Sequence, residues 1–218
     1  MKFSPRFRDR IEAGQLLAEK LRHYADQPAV LVLGLPRGGV PVAAEVARAL
    51  RAPLDVFVVR KLGLPGQEEL AMGAIASGGI RVLNPEVVGA LHIADDIIDA
   101  VAAAELRELA RREQAYRDQR PPLDVRGRTV IVIDDGIATG STMRAAIAAL
   151  RKLRAARIVV AVPTIASDTW REIGSRVDEI AAVIVPEAFA SVGEWYDDFP
   201  QTSDDEVRQL LAEAATPL

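Results

Sequence analysis

Residues 130–143 read Val-Ile-Val-Ile-Asp-Asp-Gly-Ile-Ala-Thr-Gly-Ser-Thr-Met, and this stretch decides the fold. Four aliphatic residues run directly into two adjacent carboxylates, Asp134 and Asp135. An unbroken β-branched run marks a strand covered on both faces. A carboxylate at the end of such a strand is costly to desolvate unless something pairs with it. Two neighbouring acids suit the paired hydroxyls of a ribose, or a Mg²⁺ ion. A loop of small residues follows, Ala138, Thr139, Gly140, Ser141 and Thr142, and opens into a helix predicted over 141–152. N–H groups at a helix start, with the Thr139, Ser141 and Thr142 hydroxyls, form a cradle for phosphate, and Gly140 lets the backbone come close. The competing reading is a plain strand–turn–helix with capping Asp and Thr. The doubled acid and the Ala-Thr-Gly-Ser-Thr loop argue together against it. No Lys follows the glycine, so the stretch is not a nucleotide-binding P-loop, nor does it have the dinucleotide fingerprint.

The same alternation continues in both directions. Apolar runs predict buried strands over 29–35, 54–59, 129–133, 157–162 and 180–185, with a helix over 40–50 after the first. Apolar strands separated by helices imply a mainly parallel sheet covered on both faces, a doubly wound α/β fold. Ligands of such folds sit at the carboxyl ends of the strands. Residues 84–120 read as a helical insertion, apolar on one side and lined with Glu/Arg pairs on the other. They suit a cap, a subunit contact or an ordinary surface helix. Residues 186–202 gather Phe189, Trp195, Tyr196 and Phe199 in a chain poor in aromatics. Residues 1–218 read as a single domain with a small C-terminal hood.

Composition narrows the function. Half of the 218 residues are hydrophobic, enough for a substantial core, and the net charge of −4 does not suggest general nucleic-acid binding. The absence of cysteine excludes disulfides and thiolate metal sites, and two histidines are too few for a His-rich one. No apolar run approaches the roughly 20 residues of a membrane span, and the first residues lack a signal peptide's apolar core. A cytoplasmic protein without DNA or membrane partners is expected.

Two further stretches lie after buried strands. Residues 33–40 read Leu-Gly-Leu-Pro-Arg-Gly-Gly-Val. An arginine beside glycines lets backbone amides and a guanidinium meet one diphosphate. Residues 58–79 hold Arg60 and Lys61 at the expected end of the second strand, then a Gly/Pro loop with Glu68 and Glu69. The two cations would neutralise a leaving anion, and the glutamates read as a solvated loop or as a catalytic carboxylate.

The 130–143 stretch resembles the phosphoribosyl pyrophosphate signature of type I phosphoribosyltransferases. The resemblance implies that Asp134 and Asp135 hold the ribose hydroxyls, with Mg²⁺ accompanying the donor. It implies that Ala138, Thr139, Gly140, Ser141 and Thr142 hold the 5-phosphate. Residues 33–40 resemble the family's pyrophosphate loop, placing Pro36, Arg37, Gly38 and Gly39 on the diphosphate and a cis peptide between Pro36 and Arg37. Residues 63–69 resemble the mobile catalytic loop, in an order similar to that of adenine phosphoribosyltransferases, so Arg37, Arg60, Lys61, Glu68 and Glu69 are the catalytic candidates. Residues 186–202 resemble the hood over the acceptor base, with Phe189, Trp195 or Tyr196 stacking on it. Ala138 stands where enzymes acting on 6-oxopurines commonly carry an acid; alanine there is familiar from adenine- and uracil-type relatives. The uracil-type hood signature is not evident, and an adenine-like purine acceptor is favoured. The chain looks most like the group of these proteins whose acceptor is unassigned.

The implied activity is transfer of the phosphoribosyl group from phosphoribosyl pyrophosphate to a nitrogenous base. A non-catalytic sensor of the same ligand, and a hydrolase or pyrophosphokinase-like activity on it, are the alternatives. A homodimer would follow the family habit.

Overall fold

The computed structural model describes residues 6–117 and 120–215, without the side chains of Glu68, Glu69 and Ala215. In chain order the elements are α1 (Arg10–Lys20), β1 (Val30–Gly34), α2 (Gly39–Leu50), β2 (Leu54–Val56), β3 (Val59–Leu64), β4 (Gln67–Ala76), β5 (Ile80–Leu83), α3 (Pro85–Ala90) and α4 (Asp95–Arg117). Then follow β6 (Thr129–Ile133), α5 (Ser141–Lys152), β7 (Arg157–Thr164), α6 (Ser167–Gly174), β8 (Glu179–Ile184) and α7 (Asp204–Ala215). No described helix is long and apolar enough to cross a membrane.

Five strands form a parallel sheet in the order β2-β1-β6-β7-β8. Side chains alternate across its faces, as strand geometry requires. Val30, Val32, Ile131 and Ile133 join one core with residues of α1, α2, α4 and α7. Leu31, Leu33, Val130 and Val132 join a second core with residues of α5 and α6. The chain runs outward from β1 to β2 and returns past it to β6, so the winding reverses between β1 and β6. A crevice opens at that switch point in doubly wound sheets.

The expected strand over 54–59 divides in two. Residues 54–56 enter the parallel sheet, whereas Val59 begins a separate antiparallel sheet, β3-β4-β5. What reads as a mobile loop over 63–69 is largely paired backbone, closed by a Pro65-Gly66 turn with Gly66 at φ 80°. Proline followed by a glycine at positive φ suits a tight turn.

The 84–120 region forms α3 and α4. Ile98, Ala102, Leu109 and Tyr116 of α4 are buried in the chain's own core. Arg117 and Asp55 form a largely buried ion pair at 2.9 Å, and the Tyr116 hydroxyl donates to Asp204 at 2.6 Å. This buried face fastens α4 to β2 and α7.

Candidate active site at the carboxyl edge of the sheet

β1 and β6 end side by side, and their pairing continues one step beyond the strands: Leu35 N–H donates to Ile133 O at 2.8 Å. The chain then turns through a cis Pro36–Arg37 peptide into α2. Gly38 and Gly39 lie directly on the two acids. A Cβ on Gly38 would stand 2.0 Å from Asp135 Oδ2, and one on Gly39 would stand 2.6 Å from Ile133 O. Those separations exclude any side chain, so the two glycines let the loop after β1 seat on the acids after β6.

The acids are strained electrostatically. Burial raises the Asp134 carboxyl well above its ordinary range, and the neighbouring Asp135 raises it further. Asp134 Oδ1 accepts from the Asp135 N–H at 2.9 Å. Burial also raises Asp135, but Arg10 opposes the shift by donating to Asp135 Oδ2 from Nε at 3.0 Å and Nη2 at 2.8 Å. The Tyr196 hydroxyl donates to Asp135 O at 2.6 Å. Two desolvated carboxylates facing a crevice are a site that a ligand completes.

The loop after the acids is held open from behind. Thr169 Oγ1 donates to Ala138 O at 2.6 Å, and Arg144 Nη1 donates to Thr139 O at 2.8 Å. Gly140 caps α5 at φ 73° and brings no side chain to the cap. The first N–H groups of α5 are thereby left for an anion, in the field of the helix start.

A cleft of about 470 Å³ lies over Asp135, bordered by Arg10, Arg37 and Gly38 on one side and by Val192, Phe199 and residues 200–202 on the other. Arg37 faces it and approaches Asp204 at 3.8 Å. Among the described residues no three metal-ligating side chains come together. The two acids alone fit an ion that arrives on a ligand's phosphate oxygens, which is how Mg²⁺ is commonly held.

Several expected roles change. Arg60 and Lys61 are successive residues of β3, so their side chains leave opposite faces and do not act as a pair. Arg60 is held by Glu105 of α4 at 2.7 Å. The Glu68 and Glu69 side chains lie outside the described residues. Trp195 and Tyr196 are buried in a small cluster with Phe7, and Phe189 leans on Trp195 with ring centroids 6.1 Å apart. None of the three lines the cleft, and Trp195 and Tyr196 keep little ring surface exposed, whereas Phe189 is half-buried. The aromatic that does border it is Phe199, stacked on Tyr196 at 4.8 Å with the Arg10 guanidinium 3.8 Å above its ring. Arg10, Arg144 and Thr169 escape sequence reasoning. Nothing in the local pattern distinguishes Arg10 from the arginines at positions 6 and 8.

Fold and site define a class: a doubly wound α/β protein with two acids and two glycine-bearing loops converging at its switch point. The sequence model described as "Phosphoribosyl transferase domain" matches residues 8–193, and the chain belongs to that family. It is 48% identical over 208 residues to "Putative phosphoribosyl transferase Rv0571c" of Mycobacterium tuberculosis, covering 95% of this chain and 47% of that protein. The chain thus spans about half the length of that curated relative. It is 35% identical over 132 residues to the "Bifunctional protein PyrR" of Chloroflexus aurantiacus, covering 58% of this chain and 65% of that one. The crystal structure of TT1426 from Thermus thermophilus superposes with a TM-score of 0.86 at 43% identity, covering 97% of this chain and 100% of that one.

Proposed function

We propose that this chain transfers the 5-phosphoribosyl group of phosphoribosyl pyrophosphate to a ring nitrogen of a base, purine-type and adenine-like, and releases pyrophosphate. The observation that supports the reading most is the seating of Gly38 and Gly39 on Asp134 and Asp135 at the switch point. It brings a diphosphate loop and a ribose-holding pair within one ligand's length.

In this reading Asp134 and Asp135 accept the two ribose hydroxyls and orient the sugar, a matter of positioning rather than proton transfer. Ala138, Thr139, Gly140, Ser141 and Thr142, with the start of α5, hold the 5-phosphate. Pro36, Arg37, Gly38 and Gly39 hold the diphosphate. The bond from ribose C1 to the diphosphate oxygen breaks and its electron pair leaves with the diphosphate. Positive charge builds on the ring, and the base nitrogen closes the new bond and releases its proton to the diphosphate or to solvent. Arg37 stabilises the negative charge that collects on the departing diphosphate. Asp134 and Asp135 would hold a Mg²⁺ ion arriving with the donor, which would supply further neutralisation of the departing charge. Arg60 is held by Glu105, so this reading leaves the departing charge chiefly to Arg37. The base enters the cleft beside Val192, Phe199, Gln201 and Thr202.

Calorimetric titration with phosphoribosyl pyrophosphate and Mg²⁺ tests the reading, with the Asp134→Ala/Asp135→Ala variant as control. Saturable binding lost in the variant, followed by base-dependent pyrophosphate release, is expected. A folded wild-type protein that fails to bind the donor would remove the proposal.

A further inference from the structure

The donor site contains a cation from the far end of the chain. Arg10, in the first turn of α1, is nearly buried, with its side chain 10% exposed. It commits three of its five N–H donors. Nε and Nη2 both donate to Asp135 Oδ2, at 3.0 and 2.8 Å, and Nη1 donates to Pro200 O at 2.7 Å. Its guanidinium plane lies 3.8 Å over the Phe199 ring. Both Arg10 bonds to Asp135 fall on Oδ2, so this grip leaves Oδ1 out.

The backbone around Arg10 is tied to the same strip of hood. Phe7 N–H donates to Trp195 O, and the Asp197 and Asp198 N–H groups donate to Phe7 O and Arg8 O, at 2.8–2.9 Å. The segment before α1 and residues 195–200 therefore form one strap across the cleft, and Arg10 joins that strap to the acid beneath. A planar fork gripping one oxygen of a carboxylate fixes its rotation as well as its position.

Resting on the proposed donor reading, we propose that Arg10 is a positioning residue for phosphoribosyl pyrophosphate. It holds Asp135 by Oδ2 so that Oδ1 is presented to a ribose hydroxyl, and it sets the height of the hood over that sugar. The geometry distinguishes this role from two others. A general cation would serve as well with lysine at position 10. A plug occupying the acid in the empty site would have to be displaced, and its removal would tighten donor binding.

The test compares two probes, phosphoribosyl pyrophosphate with Mg²⁺ and inorganic pyrophosphate with Mg²⁺, by calorimetry on wild type, Arg10→Lys and Arg10→Met. Pyrophosphate brings no ribose hydroxyl for Asp135 to accept, so its affinity reports folding, general charge and any Mg²⁺ held at the acids, but not the presentation of Oδ1. Arg10→Lys keeps the charge and loses the fork. The expected result is donor affinity reduced roughly 3- to 10-fold in Arg10→Lys and more than about 10-fold in Arg10→Met. Pyrophosphate affinity is expected to stay within about twofold in Arg10→Lys. Where Arg10→Met does not fold, Arg10→Lys alone decides. Donor affinity in Arg10→Lys equal to wild type overturns the positioning role, as does tighter binding in either variant. Equal losses for both probes overturn it too. A wild-type protein that binds pyrophosphate but not the donor overturns the donor reading itself, and this role with it.

Discussion

The two ends of the parallel sheet carry cavities of opposite character. At the amino end, the last turns of α2, α4 and α7 close around a groove of about 810 Å³ floored by Leu31, Leu54 and Leu123. At the carboxyl end lies the cleft over Asp135, at about 470 Å³. The larger groove also holds more arginines, yet they are engaged. Arg117 grips Asp55. Arg120 donates to the Leu54 and Leu211 carbonyls, and Arg128 to Val30 O. Arg48 and Arg51 pair with Glu45 and Asp26. Helix C-termini expose unpaired carbonyls and partial negative charge, and Arg120 answers one of them at Leu211 of α7. The carboxyl end is where helices start, so N–H groups converge there on desolvated acids. Size therefore points to the wrong end of this molecule; the direction of the helices points to the right one.

The largest effect that would separate the two ends is expected from Gly38→Ala. Its Cβ would fall 2.0 Å from Asp135 Oδ2. Donor affinity measured calorimetrically is expected to drop well over 100-fold, because the two loops can no longer seat together. Near-normal affinity would break the comparison by showing that their contact is dispensable. At the other end, Asp55→Asn leaves the Arg117 charge largely buried without its partner. It should cost about 2–3 kcal/mol of stability in denaturant unfolding while leaving donor affinity unchanged. A weakened donor site in that variant would couple the two cavities.

Asp134→Asn should act with the opposite sign on stability. In the unfolded chain its carboxyl ionises near the ordinary value of about 3.9. In the folded chain burial and Asp135 raise it well above that. Below the unfolded value both states hold the proton. As pH rises from there toward the folded value, the unfolded chain releases its proton first and stability falls. Asparagine cannot ionise, and its Oδ1 can still accept from Asp135 N–H. The variant is expected to melt a few degrees above wild type at neutral pH and to match it near pH 3, while binding the donor more weakly. A melting temperature lowered at neutral pH would contradict the assigned strain. The smallest effect is expected from Trp195→Phe. Its buried Nε1 has no partner among the described residues, so losing that N–H costs little, and the smaller ring should cost about 1 kcal/mol by leaving a void in the cluster. A large loss of base-dependent turnover would instead return Trp195 to the acceptor site.

Much of this was legible locally. The strand over 129–133 and the helix over 141–152 lie where the apolar pattern and the Gly-Ser-Thr start place them. The cis Pro36–Arg37 bond falls where the family resemblance puts it. The helices α1, α6 and α7 have no range in the apolar pattern, although the starts of α1 and α7 carry signals. Asp9 accepts from Glu12 N–H while Glu12 accepts from Arg8 N–H, and Ser203 accepts from Glu206 N–H before α7. Both have the spacing of a capping box. The β3–β4 hairpin was hidden because residues 63–69 have loop composition, and only antiparallel pairing with the strand beyond makes them extended.

By itself the sequence determined where the parallel strands run, the paired acids and the glycine loops, since apolar runs and small residues act on their immediate neighbours, although β8 is only half-buried and the run over 54–59 divides between two sheets. Only the tertiary structure decided which cations serve the acids and where the aromatics go. Arg10 reaches Asp135 across 125 positions. Arg60 turns to Glu105 of α4 because strand alternation aims it there. Trp195 and Tyr196 are drawn under the hood because the segment around Phe7 returns to pack on them. Such partners are set by strand order and packing between distant segments, which no local pattern encodes.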